Sequence, residues 1–316
     1  MQIVLVRLLA VSAMVLMGVL ARRRGWLDAV GTRQIALVVT NLLYPALIYA
    51  SLVQTFTLPG LVANWPLPAG TLMIMLTGFC VGLLAARVVP FSSERERRAF
   101  RFQCTINNYV FLAMPLVLIY WGAKGVALLV FSTVGSEIAL WTLGVMALTG
   151  HRVEWRTLRH LLSMSMGAIL AAILTLGVVQ VTGWQVPPGG FADDLRQALL
   201  GVLDIVGKGT VPLAMMVAGS RMAELQPRHL LRTPQLAVVG LRLLLVPAIA
   251  LALLHYLPFA PATRNVLTVV AVMPSSIASV MLSEIYDADS DFAATAVLLT
   301  HAAALFTIPL WLGWAL

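Results

Sequence analysis

Apolar segments about 20 residues long recur from one end of the chain to the other, separated by short polar stretches. They lie at about residues 2 to 21, 35 to 56, 66 to 89, 99 to 120, 125 to 149, 159 to 182, 195 to 220, 235 to 257, 263 to 283 and 292 to 316. A helix needs about 20 apolar residues to cross the hydrocarbon core of a bilayer. Because 60% of the 316 residues are hydrophobic and only 11% are charged, we predict an all-α polytopic membrane protein with ten transmembrane helices, called spans 1 to 10 below.

Lysine and arginine are concentrated in alternate loops between the spans. Loops 2, 4, 6 and 8 contain only Lys124, Arg196 and Arg264. The other loops up to loop 7 contain Arg22, Arg23, Arg24, Arg33, Arg87, Arg95, Arg97, Arg98, Arg101, Arg152, Arg156, Arg159, Arg221, Arg228 and Arg232. The positive-inside rule therefore predicts both termini outside the cytoplasm of a multi-pass protein in the cell (inner) membrane. The basic residues behind the net charge of +8 are then explained by the orientation of the protein in the membrane, and no nucleic-acid partner is expected.

Two of the spans carry a proline that a continuous helix cannot accommodate easily. In span 4, Asn107 and Asn108 are followed by Pro115, and we expect the helix to break near Leu112 to Pro115 because proline has no amide hydrogen to donate. In span 9, Pro274 repeats the Met-Pro pair. Non-helical backbone at membrane depth persists only where protein buries it or where it lines a cavity. A pair of broken helices in matching halves is typical of the binding site of a secondary transporter.

Proline spacing also suggests an internal duplication. The residue numbers of Pro45 in span 2 and Pro212 in span 7 differ by 167 (212 − 45), and those of Pro115 in span 4 and Pro274 in span 9 differ by 159 (274 − 115). Similar offsets predict two five-helix repeats, residues 1–150 and 151–316. Because five is odd, the second repeat would be inverted across the membrane. Chance is the alternative, since 16 prolines produce some pairs at similar offsets.

Uncharged polar residues near the breaks are the first candidates for substrate binding. Asn107 and Asn108 precede the first proline, Ser275 and Ser276 follow the second, and Asn41 lies in span 2. An amide both donates and accepts without the cost of a buried charge, and free backbone amides at the start of a half-helix favour an anion. The alternative for the asparagines is a helix cap or a bond to a neighbouring span, and for the serines a bond to their own helix backbone or close packing.

Ionisable residues within spans are costly and are candidates for ion coupling. Glu137 and His301, in spans 5 and 10, could carry a coupling proton, with a satisfied interhelical hydrogen bond as the alternative. Asp204 and Lys208 are also candidates, but their i, i+4 spacing would let them neutralise each other. Arg242 lies about two turns into span 8 and is expected to extend its charge to the interface.

Short motifs in a fixed order resemble the auxin efflux carrier family, including its bacterial members, over nearly the whole chain. The motifs are Arg22-Arg23-Arg24-Gly25, Asn41 with Pro45, Leu47 and Ile48, Asn108 seven residues before Pro115, Pro212-Leu213-Ala214 with Gly219, Arg242-Leu243 with Pro247, Met273-Pro274 followed by Glu284 and Tyr286, and Thr300 with Pro309. Each motif is weak alone, and their order and spacing together are specific.

This resemblance implies two inverted repeats in which spans 4 and 9 cross at Pro115 and Pro274. It also implies an elevator mechanism, in which a transport part (spans 3 to 5 and 8 to 10) slides against a scaffold (spans 1, 2, 6 and 7), and a homodimer. The implied substrate is a small organic anion such as auxin, malate or malonate. The chain departs from the family pattern at Ala278, where asparagine is frequent, at His301, where serine or threonine is usual, and at Glu137, near an asparagine position.

The sequence thus predicts a secondary active transporter of a small organic anion that works by alternating access in the bilayer. A ligand sensor without transport is an alternative. An intramembrane enzyme is another, although the sequence offers no paired catalytic carboxylates and no nucleophile beside a histidine. No cofactor and no metal site are expected. Coupling to Na⁺, through unwound carbonyls with Asn41 or Asn108, and coupling to H⁺, through Glu137 or His301, both remain open.

Overall fold

The computed structural model describes residues 2–150, 163–183, 189–224 and 232–316, with only the helix backbone for residues 2–11 and Glu224. Within these ranges the chain is helical, with an isolated antiparallel bridge and no strand, which confirms the all-α class. The helices are α1 Gln2–Arg23, α2 Ala29–Thr55, α3 Pro66–Ala85, α4 Glu94–Thr105, α5 Ala113–Thr149, α6 Met164–Thr182, α7 Phe191–Lys208, α8 Thr210–Glu224, α9 Thr233–Tyr256, α10 Pro261–Ala271, α11 Ser279–Ile285 and α12 Ser290–Ala315, with a short helix, Leu58–Ala63, between α2 and α3. The orientation residues Arg152, Arg156, Arg159 and Arg228 lie outside the described residues.

Seven helical stretches in the described ranges are long and apolar enough to cross a membrane. They include predicted spans 2, 3, 5, 6, 7, 8 and 10. Spans 4 and 9 are not among them because each is divided: span 4 into α4 and the start of α5, and span 9 into α10 and α11. Span 1 corresponds to α1. The multi-pass helical architecture is confirmed, while the count of ten remains a prediction.

The first helix break begins six residues (112 − 106) earlier than predicted. Helix α4 ends at Thr105 and α5 begins at Ala113, so the break comprises residues 106–112 and precedes Pro115. Pro115 is the third residue of α5. In the first turn of a helix the amide hydrogens have no intrahelical acceptor, so proline is tolerated there. The proline therefore helps to begin the second half of the helix, and it does not itself lie in the break.

The second break has the same length as the first and lies at a constant offset from it. It comprises residues 272–278, and its two ends are equally far along the chain from the matching ends of the first break (271 − 105 equals 279 − 113). Helix α9 starts 167 residues after α3 (233 − 66), and α10 starts 167 residues after α4 (261 − 94), one residue more than the 166 that separates the two breaks (271 − 105). Pro45 and Pro212 have this same offset (212 − 45). The two Met-Pro pairs are closer together (274 − 115) and are therefore not equivalent positions.

Two π-helical turns each end two residues before a proline. The turn Val39–Leu43 in α2 comes before Pro45, and the turn Leu241–Leu245 in α9 comes before Pro247. Each proline leaves the carbonyl four residues earlier without its usual donor, and a wider turn is one way for a helix to adapt. As a result, Asn41 and Arg242 lie on widened turns rather than on regular α-helix.

The helices pack in two groups. Helices α1, α2, α6, α7 and α8 contact one another, and α3, α4, α5, α9, α10, α11 and α12 form the second group. Glycines bring the backbones close within each group: a Cβ on Gly219 of α8 would lie 1.9 Å from the Val15 carbonyl oxygen of α1, and a Cβ on Gly135 of α5 would lie 1.9 Å from that of Pro68 in α3. Small residues have this role at helix interfaces in membranes. The groups meet where α5 and α12 contact α1 and α2.

Candidate functional site

The two helix breaks run antiparallel past each other in the second group. The Asn108 amide donates to the Pro274 carbonyl at 2.8 Å, and an isolated bridge pairs Asn107 with Ser275. The Ser276 amide donates to the Ile106 carbonyl at 3.1 Å. Buried backbone outside a helix must find partners, and each break supplies them for the other. The structure thus brings together five of the candidates: Asn107, Asn108, Pro274, Ser275 and Ser276.

Pro115 does not mark the crossing point. The breaks cross at Asn107 and Ser275, whereas Pro115 lies in the first turn of α5, eight residues after Asn107. This corrects the expectation that the helices cross at Pro115 and Pro274. Only Pro274 belongs to the crossing, because it lies inside the second break, where its carbonyl accepts from the first.

Asn107 and Ser275 are fully buried and tie the half-helices together. The Asn107 side-chain amide donates to the Val270 carbonyl near the end of α10, and the Ser275 hydroxyl donates to the Gln103 carbonyl near the end of α4, at 3.1 Å. Neither side chain lines the two cavities described below. Asn107 therefore bonds to a neighbouring span, as in the alternative given for the asparagines, whereas Ser275 bonds to the other broken helix rather than to its own backbone. Asn107 Oδ1 accepts no hydrogen bond among the described residues.

Asn108 links the start of α5 to His301. Its Oδ1 accepts from the amides of Phe111 and Leu112, the last two residues of the first break, at 3.1 and 3.3 Å. Its Nδ2 lies 3.1 Å from His301 Nε2, and His301 Nδ1 lies 2.8 Å from the Val297 carbonyl oxygen. A carbonyl can only accept, so Nδ1 carries the proton of the neutral ring and Nε2 accepts from Asn108.

A cavity of about 290 Å³, here called the main cavity, lies at the junction of the two helix groups. Among the described residues that line it, only Ser12, Asn108 and His301 are polar. The apolar lining consists of Val15, Leu16, Leu112, Met215, Ala218, Met222, Ile277, Ala302, Ala304, Leu305 and Ile308. The side chains of Asn108 and His301 belong to the second helix group and are hydrogen-bonded to each other. They face α1 and α8 of the first helix group across a mostly apolar space.

A smaller cavity of about 120 Å³, the Arg221 cavity, adjoins the main cavity. The two share Ala218 and Ile277 as lining residues. Arg221 and Thr40 provide its polar lining, and Ala278, the last residue of the second break, and Met281 of α11 also line it. The family's frequent asparagine would therefore lie at the Arg221 cavity, and Ala278 removes that polar group.

Arg242 is the main residue that sequence reasoning misplaced. It is fully buried and does not extend to the interface. Its Nε donates to the Met273 carbonyl at 3.0 Å, its Nη2 to that of Ala271 at 3.0 Å, and its Nη1 to that of Cys104 at 3.4 Å. In the sequence, Pro247 five residues later and the absence of an acidic residue in span 8 were the available signals that this arginine binds backbone carbonyls.

The remaining candidates lie away from both cavities. Glu137 accepts from the Tyr109 hydroxyl at 3.1 Å and from the Trp141 indole at 3.2 Å, so both carboxylate oxygens are paired. Asp204 and Lys208 form an ion pair of 2.6 Å, as their spacing allowed. Asn41 has an exposed side chain on the π turn of α2 and lines neither cavity. Among these four residues, Glu137 hydrogen-bonds to a residue of a helix break, because Tyr109 belongs to the first break.

Comparison with known proteins gives the class of this molecule. The model of the family described as membrane transport protein matches residues 3–159 and 160–312. The chain belongs to this family. An uncharacterized transporter of Methanothermobacter thermautotrophicus is 27% identical over 306 residues, 96% of this chain and 95% of that protein. Another, from Methanocaldococcus jannaschii, is 26% identical over 215 residues, 67% of this chain and 66% of that protein.

Membership of the membrane transport protein family confirms the resemblance to auxin efflux carriers. The family and both relatives are transporters rather than enzymes, so the chain is a multi-pass membrane transporter. The intramembrane enzyme considered from the sequence is therefore set aside.

Proposed function

We propose that this transporter is a secondary active carrier that moves a small organic anion by alternating access and binds it in the main cavity. The observation that carries the proposal is the position of Asn108 and His301. Both belong to the group that contains the crossed helices, and both face α1 and α8 of the other group across the cavity. A site between two helix groups can be closed from either side when one group moves relative to the other.

The lining of the main cavity favours an acid with one polar end. A carboxylate can accept from Asn108 Nδ2 beside the start of α5, where the helix dipole favours negative charge. The apolar body would then lie against Met215, Ile277 and Leu305. The second carboxylate of malate or malonate would lose its hydration against these walls, which is costly. An auxin-like monocarboxylate is therefore our first candidate within the organic anions.

The helix groups and the constant offsets support the finer architecture that we propose. The molecule would consist of ten transmembrane helices as two inverted five-helix repeats, with both termini outside the cytoplasm of the inner membrane. Helices α3 to α5 and α9 to α12 would form the elevator, and α1, α2 and α6 to α8 the scaffold and the dimer interface of a homodimer. The support is that the starts of α3, α4 and α5 recur as those of α9, α10 and α11 at nearly the same offset (233 − 66, 261 − 94 and 279 − 113).

Uptake into proteoliposomes by purified protein tests the proposal, with labelled indole-3-acetate, malonate and malate as probes. We expect Asn108→Ala to reduce uptake at least about tenfold, because a hydrogen bond to a charged group is worth about 1.5–3 kcal/mol. Asn265→Ala is the matched control, since Asn265 lies on α10 and lines neither cavity. Equal uptake by the Asn108 variant and the wild type would remove the site from the main cavity.

The same preparation separates a transporter from a ligand sensor. A sensor would bind one of these acids, raise its melting temperature in that acid and show no flux into sealed vesicles. We expect binding and flux together, and both weakened by the same Asn108 substitution.

A further inference from the structure

We propose that Arg242 is a built-in cation that occupies the place of a coupling Na⁺ at the crossing, so that this transporter does not bind Na⁺ there. Broken helices expose backbone carbonyls, and such carbonyls are the usual Na⁺ ligands in transporters of this kind of architecture. In this chain a guanidinium group with fixed charge already binds them. The inference deepens the proposed function by removing one of its two candidate coupling ions.

Carbonyls on both sides of the crossing accept hydrogen bonds from the protein. Three come from the end of α4 and the first break, and four come from the end of α10 and the second break. The pairs on the first side are Gln103 O with Ser275 Oγ, Cys104 O with Arg242 Nη1, and Ile106 O with the Ser276 amide. The pairs on the second side are Val270 O with Asn107 Nδ2, Ala271 O with Arg242 Nη2, Met273 O with Arg242 Nε, and Pro274 O with the Asn108 amide.

A sodium ion at this place would therefore have to displace existing donors. Hard cations are held by several converging oxygens, and each carbonyl given up by Arg242 would leave an N–H group of the guanidinium without a partner in a buried site. An unsatisfied buried group of this kind is costly. Arg242 alone provides three of the seven bonds, and it is the only charged donor among them.

The charge of Arg242 is balanced by the ends of two helices. The carboxyl-terminal end of a helix carries about half a negative charge, and the guanidinium bonds to carbonyls at the ends of both α4 and α10. Two such ends offset about one positive charge. Among the described residues no carboxylate forms an ion pair with Arg242. A bound Na⁺ would add a second positive charge to a site whose negative partial charge is already neutralised.

Melting of the purified wild-type protein in NaCl and in choline chloride at equal ionic strength is the first test, and it needs no substrate. We expect melting temperatures that agree within about 1 °C, because only a ligand that binds the folded state raises stability, and we expect no saturable binding of radioactive sodium. A sodium-specific rise in melting temperature with saturable sodium binding would overturn the inference.

Variants at Arg242 separate its charge from its packing. Arg242→Gln keeps amide donors but loses the charge, and we expect its melting temperature to be lower by about 5 °C or more and to rise with NaCl or guanidinium chloride at millimolar concentration. Arg242→Lys keeps the charge, and we expect that Na⁺ does not change its melting temperature. Arg264→Ala is the matched control, because Arg264 also donates to a backbone carbonyl, that of Leu257, but away from the crossing.

Each outcome of the variant series decides the inference. A glutamine variant that responds to neither cation, or a lysine variant that responds to Na⁺, would contradict it. If the glutamine variant cannot be purified and the lysine variant can, the result supports the inference, because the folded protein then needs a positive charge at this position. Failure of all carboxylate flux would count against the proposed function and leave these sodium measurements unaffected. In the flux assay, replacement of external Na⁺ by choline should leave uptake of indole-3-acetate unchanged.

Discussion

At the residue scale, the amide of Asn108 connects the proposed substrate site with a group that can titrate. Its Oδ1 is held by two amides at the end of the first break, so the side-chain amide cannot rotate freely and its Nδ2 remains directed at His301 Nε2. If Nε2 gained a proton, two donors would face each other. A carboxylate between them could accept from both. Binding of a proton and binding of an organic acid would then favour each other, because they are linked through one geometry.

The prediction at this scale concerns His301→Gln, which keeps an amide side chain and removes the titrating ring. We expect an inward proton gradient to stimulate uptake by the wild type and to leave the variant unstimulated. Among the described residues lining the main cavity, His301 is the only titratable group. His255→Gln, on the exposed last turn of α9, is the control and should behave as the wild type. Undiminished stimulation in the His301 variant would exclude this ring as the proton carrier.

At the element scale, the sequence predicted the helices well and their breaks less well. Apolar length defines a membrane helix because each segment satisfies its own backbone bonds, so the positions of α3, α6 and α12 follow from composition. The break at residues 106–112 does not follow from composition. Its backbone groups find their donors and acceptors in the partner break, which lies in the other half of the chain. Arg242 was misplaced for the same reason, since its acceptors lie at the ends of α4 and α10 and in the second break.

Close helix contact gives a prediction about stability. A Cβ at Gly219 would meet the Val15 carbonyl oxygen at 1.9 Å, so Gly219→Ala must push α8 away from α1. We expect a loss of about 1–3 kcal/mol, the usual cost of overpacking, measured as a fall in melting temperature in detergent. A Cβ at Gly177 of α6 would meet nothing within 4 Å, so Gly177→Ala should be neutral or slightly stabilising. Equal effects of the two substitutions would refute the packing argument.

At the scale of the whole molecule, two tyrosine–threonine contacts distinguish the helix groups. The Tyr44 hydroxyl on α2 donates to Thr133 Oγ1 on α5 at 3.4 Å, and this contact joins the proposed scaffold to the proposed elevator. The Tyr49 hydroxyl on α2 lies 3.1 Å from Thr175 Oγ1 on α6, within the scaffold. The two pairs have the same chemistry and share a helix. Only the first would have to separate if the elevator slides.

Cysteines at these positions make the two contacts into a matched test of the mechanism. In a chain whose exposed Cys80 is replaced by serine, a short bismaleimide would bridge Tyr44→Cys and Thr133→Cys, or in the control Tyr49→Cys and Thr175→Cys. We expect the first bridge to abolish uptake of indole-3-acetate while binding persists, because a linked elevator cannot change sides. The second bridge should leave uptake intact, because it joins two helices that move together. Transport by protein fully bridged at the first pair would show that the two groups do not slide past each other, and the substrate would then have to cross by local movement at the helix breaks.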